Sequence, residues 1–188
     1  MKTICLIRHG KTGANVRHLY HGSTDLELCE EGEQELFSRR RTFPGEWKFI
    51  TSGMKRTEQT LKILFGDVPH AADPRFREMD FGEFEMRSYQ ELKDEPDYQR
   101  WISGDNASNR TPGGESGRIM ERRVLEGFVD LMNSTQDIVL VTHGGPITAI
   151  MAHLFPGEEK NRYQWQPSCG GGYVLTFDAD GWNYRPLE

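Results

Sequence analysis

Three short apolar runs, each ending abruptly in polar residues, constrain this chain more than any other feature. They are Ile4-Cys5-Leu6-Ile7 before Arg8-His9-Gly10, Phe49-Ile50 before Thr51-Ser52-Gly53, and Ile138-Val139-Leu140-Val141 before Thr142-His143-Gly144-Gly145. A strand with one wet face alternates apolar and polar residues. Runs without alternation suit strands covered on both faces, as in a parallel sheet. Helical spacing follows the second and third runs. Thr57, Thr60, Leu61 and Leu64 share one face, as do Ile147, Ile150, Met151 and Leu154, with Pro146 suited to a first helical turn. Met120, Val124, Phe128 and Leu131 predict a longer helix over about 116–132, and the acidic stretch Glu30 to Gln34 opens another. Strands alternating with helices predict an α/β fold with a mostly parallel sheet. Tyr173 to Phe177 and Trp182 to Tyr184, separated by Asp180-Gly181, predict a closing β-hairpin.

Residues 84–115 break this rhythm. Tyr89, Leu92, Tyr98, Trp101 and Ile102 predict one or two helices interrupted by Pro96, and Gly104 to Gly114 is a polar loop. Such a segment is a candidate lid or specificity insertion, or equally an ordinary surface subdomain. Tyr98 and Trp101 have two uses, stacking on an aromatic base or packing a core, and packing is favoured for at least one.

The 188 residues suit one domain over 1–188, and 36% hydrophobic with 11% aromatic residues is a globular composition. The N-terminal segment reads as a first strand and lacks the longer apolar region of a signal peptide, so a cytoplasmic location is expected. No apolar run has the length of a membrane span. Cys5, Cys29 and Cys169 are too scattered for a disulfide framework or a Cys-x-x-Cys site. The glycosylation patterns at Asn106, Asn109 and Asn133 are read as chance. A net charge of −6 argues against a nucleic-acid partner, and any anionic ligand needs positive charge concentrated locally.

That charge is available. Ligands of open α/β sheets sit beyond the carboxyl ends of strands, where this sequence places Arg8-His9-Gly10, Ser52 to Arg56 and His143-Gly144-Gly145. If the strands are neighbours, two histidines and two arginines converge. Arg8 and Arg56 offer planar, permanently charged donors to phosphate oxygens, and the helix after Gly145 points its free N–H groups the same way. Taken singly, each element has a plainer reading: a hydrogen-bonded histidine, a tight turn at Gly144-Gly145, a solvated arginine.

Leu6-Ile7-Arg8-His9-Gly10-Lys11-Thr12-Gly13-Ala14-Asn15 resembles the signature of the histidine phosphatase superfamily, the phosphoglycerate mutase-like group. Three further stretches match in the family's order: Ser52 to Thr60, Arg77 to Glu85, and Thr142-His143-Gly144-Gly145. The resemblance implies a three-layer α/β/α fold with a helical and loop insertion over the site, and a phosphatase needing no metal or cofactor. His9 would be the nucleophile, its tautomer fixed by a hydrogen bond. Arg8, Arg56 and His143 would bind the phosphoryl oxygens, with Asn15 and the Gly144 N–H as further contacts. Glu78 would protonate the leaving oxygen and then take a proton from the attacking water. Asp80, Glu83 and Glu85 lie close enough to compete for that role. Lys11 departs from the glutamate common in the family, with an effect on selectivity or packing expected.

The chain is shorter than the family's mutases. Phe84-Glu85-Met86-Arg87-Ser88-Tyr89 departs from the frequent aromatic-Glu-Gly pattern and resembles the α-ribazole phosphatase stretch, which implies a small phosphate ester of cobalamin synthesis as substrate. Pro112-Gly113-Gly114-Glu115-Ser116 resembles another family motif. It would bring Glu115 or Ser116 toward the pocket, or simply cap a helix at Ser116. Three rivals remain: a mutase, a metal-dependent phosphohydrolase using His9, His21, His143 and several carboxylates, and a module that binds phosphate without turnover. The oligomeric state is left open.

Overall fold

The computed structural model describes residues 2–43, 45–105 and 107–188, so Asn106 of the first glycosylation pattern lies outside the described residues. The strands are β1 (Lys2–Arg8), β2 (Trp47–Thr51), β3 (His70–Ala72), β4 (Asp137–Thr142), β5 (Gly172–Asp178) and β6 (Gly181–Leu187). The helices are α1 (Gly13–Val16), α2 (Glu30–Phe37), α3 (Lys55–Phe65), α4 (Tyr89–Leu92), α5 (Pro96–Ile102), α6 (Gly117–Met132) and α7 (Gly144–Leu154).

Among the described residues the strands form a single sheet in the order β3-β2-β4-β1-β5-β6. Strands β3, β2, β4 and β1 run parallel, while β5 and β6 are antiparallel at one edge. The three apolar runs are therefore neighbours at the centre. Along β1 successive side chains alternate between faces. Ile4 and Leu6 join Ile138 and Leu140 beneath α6 and α7, with Met120, Val124, Phe128, Ile147 and Ile150. Cys5 and Ile7 join Val139 and Val141 on the other face, against Leu36 of α2 and Leu61 and Leu64 of α3. Two buried faces explain why the runs show no alternation, and the result is a three-layer α/β/α arrangement.

Register then fixes the pocket. Arg8 pairs with Thr142 of β4, and Thr51 of β2 pairs with Val141. The carboxyl ends of the three strands are level, so the next residues (His9, Ser52 and His143) leave the sheet side by side.

The 84–115 segment holds α4 and α5, with Pro96 at the start of α5 and not inside a helix. Phe84, Leu92 and Tyr98 are buried in a small core of their own, lined by Tyr20, Phe81 and Trp101. The hydroxyls of Tyr20 and Tyr98 lie 2.6 Å apart, and Met86 N–H donates to Tyr20 O at 2.7 Å. These bonds fasten the segment to the loop after α1.

Candidate active site

His9 is almost completely buried, and its Nδ1 lies 2.7 Å from its neighbour's carbonyl, Gly10 O. A carbonyl only accepts, so Nδ1 carries the proton and the neutral ring presents its lone pair on Nε2. Burial, followed by repulsion from Arg56 and Arg8, holds the His9 pKa well below its ordinary value. The ring is thus a neutral base with one nitrogen committed. Its backbone is pinned to the sheet end: His9 N–H donates to Thr142 O at 2.9 Å, and Gly10 N–H to Thr60 Oγ1 at 2.9 Å.

The His143 ring centroid lies 5.1 Å from that of His9. His143 is fully buried, and burial with repulsion from Arg56 keeps it neutral as well. Arg56 Nε donates to its Nδ1 at 3.2 Å, which leaves Nε2 as the protonated nitrogen, 2.8 Å from Ser52 Oγ. Arg56, also fully buried, donates to Thr24 O and Gly22 O at 2.9 and 2.8 Å. Three of its five N–H donors are so engaged, and two remain for a ligand. Arg8 donates from Nη1 to Pro167 O at 2.8 Å. Its buried Nε has no hydrogen-bond partner among the described residues. A buried guanidinium nitrogen left unpaired is costly, and an anion in the pocket would satisfy it.

Glu78 sits on the amino end of α7. Its Oε2 accepts from Gly145 N–H at 2.9 Å, and its Oε1 from Met79 N–H at 2.9 Å. A Cβ at Gly145 would collide with Oε1, so this position needs glycine for the carboxylate to approach. One of the helix donors expected for phosphate is therefore held by the carboxylate. Gly144 is buried against the Gln166 side chain. Asn15 is turned to the cap of α1, where its Oδ1 accepts from Thr12 N–H and Thr12 Oγ1, both at 3.0 Å.

The structure thus brings together His9, His143, Arg8, Arg56 and Glu78, while Asn15 caps α1 and Gly144 packs on Gln166. Ser52 was not singled out as a site residue, and His21 was named only as a ligand in the metal-dependent alternative. Ser52 was findable, since it follows β2 as His9 follows β1. His21, ring centroid 6.2 Å from His9, is brought there by the fold-back of residues 18–24. Asp80 and Glu85, rivals for the role of Glu78, are occupied elsewhere: Asp80 Oδ1 accepts from Ser23 Oγ and Gly82 N–H, and Glu85 holds the 22–24 loop. Among the described residues no cluster of three or more His, Cys, Asp or Glu is arranged to hold a metal ion. None of their helices is long and apolar enough to cross a membrane.

Two arginines and two histidines thus meet at parallel strand ends, which concentrates positive charge there. Residues 4–187 match the model of the histidine phosphatase superfamily (branch 1), and the chain belongs to that family. It is 32% identical over 160 residues to an adenosylcobalamin/alpha-ribazole phosphatase of Salmonella typhimurium, spanning 79% of this chain and 77% of that protein. It is 28% identical over 204 residues to an Enterobacter protein named probable phosphoglycerate mutase GpmB, spanning 96% and 94%. The crystal structure of the alpha-ribazole phosphatase from Shigella flexneri matches with a TM-score of 0.84 at 26% identity, covering 98% of this chain and 95% of that one.

Proposed function

We propose that this chain, as one domain over 1–188, hydrolyses small phosphomonoesters without a metal ion, through a phosphohistidine on Nε2 of His9. The observation that carries this reading is the bond from His9 Nδ1 to Gly10 O in a ring whose pKa is held low. It leaves a neutral nucleophile aimed out of the sheet end, flanked by cations that neutralise the phosphate. In the first step the Nε2 lone pair attacks phosphorus and the ester P–O bond breaks. The leaving oxygen takes the proton of Glu78. In the second step water attacks phosphorus, its proton returns to the Glu78 carboxylate, the P–N bond breaks and inorganic phosphate departs. Arg8 and the free donors of Arg56 stabilise charge on the equatorial oxygens throughout, and His143 joins them by turning its Nε2–H from Ser52 Oγ to the phosphate. Asn15 and the Gly144 N–H are further contacts in this reading.

For the substrate, α-ribazole 5′-phosphate is favoured by the phosphatase names of two relatives and by the Phe84 to Tyr89 stretch. Residues 84–115 would form the wall that selects it. One observation favours a phosphoglycerate mutase instead: the GpmB relative is matched over nearly its whole length.

The test is phosphate release in EDTA from α-ribazole 5′-phosphate, an aryl phosphate and 3-phosphoglycerate, with phosphoglycerate isomers followed in parallel. Release from the ribazole ester far above the aryl rate supports the full reading. Release from the aryl ester alone keeps the phosphatase and removes the substrate. Interconversion of phosphoglycerates without release establishes the mutase, and loss of all turnover in EDTA restores the metal-dependent rival. Phosphate binding without turnover, unchanged in His9→Ala, would mean a binding module.

A further inference from the structure

Glu78 lies in a stretch with little regular structure, between a 3₁₀ turn at Pro74–Phe76 and another at Gly82–Phe84. A proton donor must be held to a fraction of an ångström, yet neither turn supplies such rigidity. The order comes from Arg123 on α6. Its Nη1 donates to Arg75 O at 2.8 Å and Arg77 O at 2.7 Å, and its Nη2 to Glu78 O at 2.8 Å. Nη2 and Nε also grip the Glu115 carboxylate, at 2.8 and 2.9 Å. Those five bonds use every N–H a guanidinium has. Glu115 continues the clamp: its Oε2 accepts from Asp80 N–H at 3.1 Å, and its own N–H donates to Asp80 O at 2.8 Å. From the sheet side, Thr142 Oγ1 donates to Phe76 O at 2.6 Å.

The segment is thus held before, at and after Glu78. This accounts for the Pro112 to Ser116 motif, which the pocket itself does not use. Ser116 caps α6 by accepting from Ile119 N–H, and Glu115 is turned back onto the segment that carries Glu78. A surface ion pair would be dispensable, but here only about a fifth of each side chain is exposed and both bond to backbone.

We propose that Arg123 and Glu115 are positioning residues that hold the Glu78 carboxyl where it protonates the leaving oxygen. The inference rests on the proton-donor reading of Glu78 given above.

The test is leaving-group dependence. A good aryl leaving group departs with little help from a proton, whereas an alkyl oxygen needs one. The quantity read is kcat/KM for an alkyl phosphate divided by that for a p-nitrophenyl ester, which reports the step that cleaves the ester. Glu78→Gln is the reference. Arg123→Lys keeps the charge but cannot span five acceptors, and the near-isosteric Glu115→Gln keeps the test open if Arg123→Lys fails to fold. Each is expected to lower the alkyl-to-aryl ratio about tenfold or more, a part of what a general acid contributes. Inhibition by inorganic phosphate, which reads the arginines and histidines, should stay within about twofold. Equal losses on both esters, or weakened phosphate inhibition, would overturn the clamp and leave a structural role. If Glu78→Gln itself leaves the ratio unchanged, the assignment of Glu78 fails, and the clamp proposal falls with its premise.

Discussion

Arg56 donates its Nε–H to Nδ1 of His143 at 3.2 Å, with both side chains fully buried. A permanent cation in that position forbids a second charge on the ring. His143 and His9 both have pKa values well below the ordinary 6.5, from burial first and Arg56 next. The unfolded chain takes up these protons below pH 6.5 and the folded chain does not, so their contribution to stability is full above pH 6.5 and is lost as pH falls. The loss should be about 1 kcal/mol per ring between pH 6.5 and 5.5. His70, raised first by its hydrogen bond to Val68 O and then by its pairing with Glu58, works in the opposite sense, but it is exposed and screened. Urea midpoints should fall from pH 7.5 to 5.5, with a smaller drop in His143→Asn. A midpoint flat across that range would contradict neutral buried rings.

The loop 22–24 is held from both sides. Glu85 accepts the N–H groups of Gly22, Ser23 and Thr24, while Arg56 donates to the carbonyls of Gly22 and Thr24. Glu85→Gln keeps the shape but loses charge and half its acceptor capacity. Stability should fall by about 1.5–3 kcal/mol, the range for hydrogen bonds to a charged group. Inorganic phosphate should inhibit more weakly as Arg56 loses its anchors. Denaturant titration and inhibition constants check the two effects, and an unchanged inhibition constant would mean that the loop does not orient Arg56.

Met86 has φ 61°, in the left-handed region, at the position where the family pattern often carries glycine. An L side chain there costs about 1–2 kcal/mol. Comparing Met86→Gly with Met86→Ala cancels the lost side-chain packing, and glycine should be the more stable variant by about 1 kcal/mol. Thermal melts of the pair decide it, and equal midpoints would count against the strain.

Lys11 bridges Glu31 and Glu35 of α2 at 2.6 Å each. Its side chain turns onto α2, so the departure from the family's glutamate is one of surface packing. Lys11→Glu would gather three carboxylates and should lower the melting temperature more than Lys11→Ala. Added salt should narrow the difference, since exposed charges are screened. The rate on an aryl phosphate should stay within about twofold for both variants; a large rate loss in Lys11→Ala would place Lys11 in the chemistry instead.

Much of this was legible in the sequence because the central strands bury both faces, and a continuous apolar run followed by His or Arg marks a strand end directly. Helices α3 and α6 were legible because each buries one stripe against the sheet, and α7, buried nearly all round over 146–151, was legible from its apolar residues after Pro146. The short elements were not. Helix α1 spans four residues and β3 three, too brief for any periodicity to show. Strand order also lay outside the local pattern. The adjacency of β1 and β4 depends on where a strand more than a hundred residues later inserts, and the meeting of His9 with His143 follows from it. The Arg123 clamp was hidden for the same reason, since on α6 alone that side chain reads as one more solvated arginine. In the 84–115 segment the aromatic residues signalled a helical unit, and Tyr98 is packed in its core.

The central claim is a phosphoryl group on His9, and the direct measurement is to trap it. The protein should be mixed rapidly with a phosphate-labelled ester, quenched in alkaline denaturant, and its peptides mapped. Label on the peptide containing His9, stable in base, lost in acid and absent from His9→Ala, is the predicted result. Steady turnover with no label on His9, or label on another residue, would contradict the account.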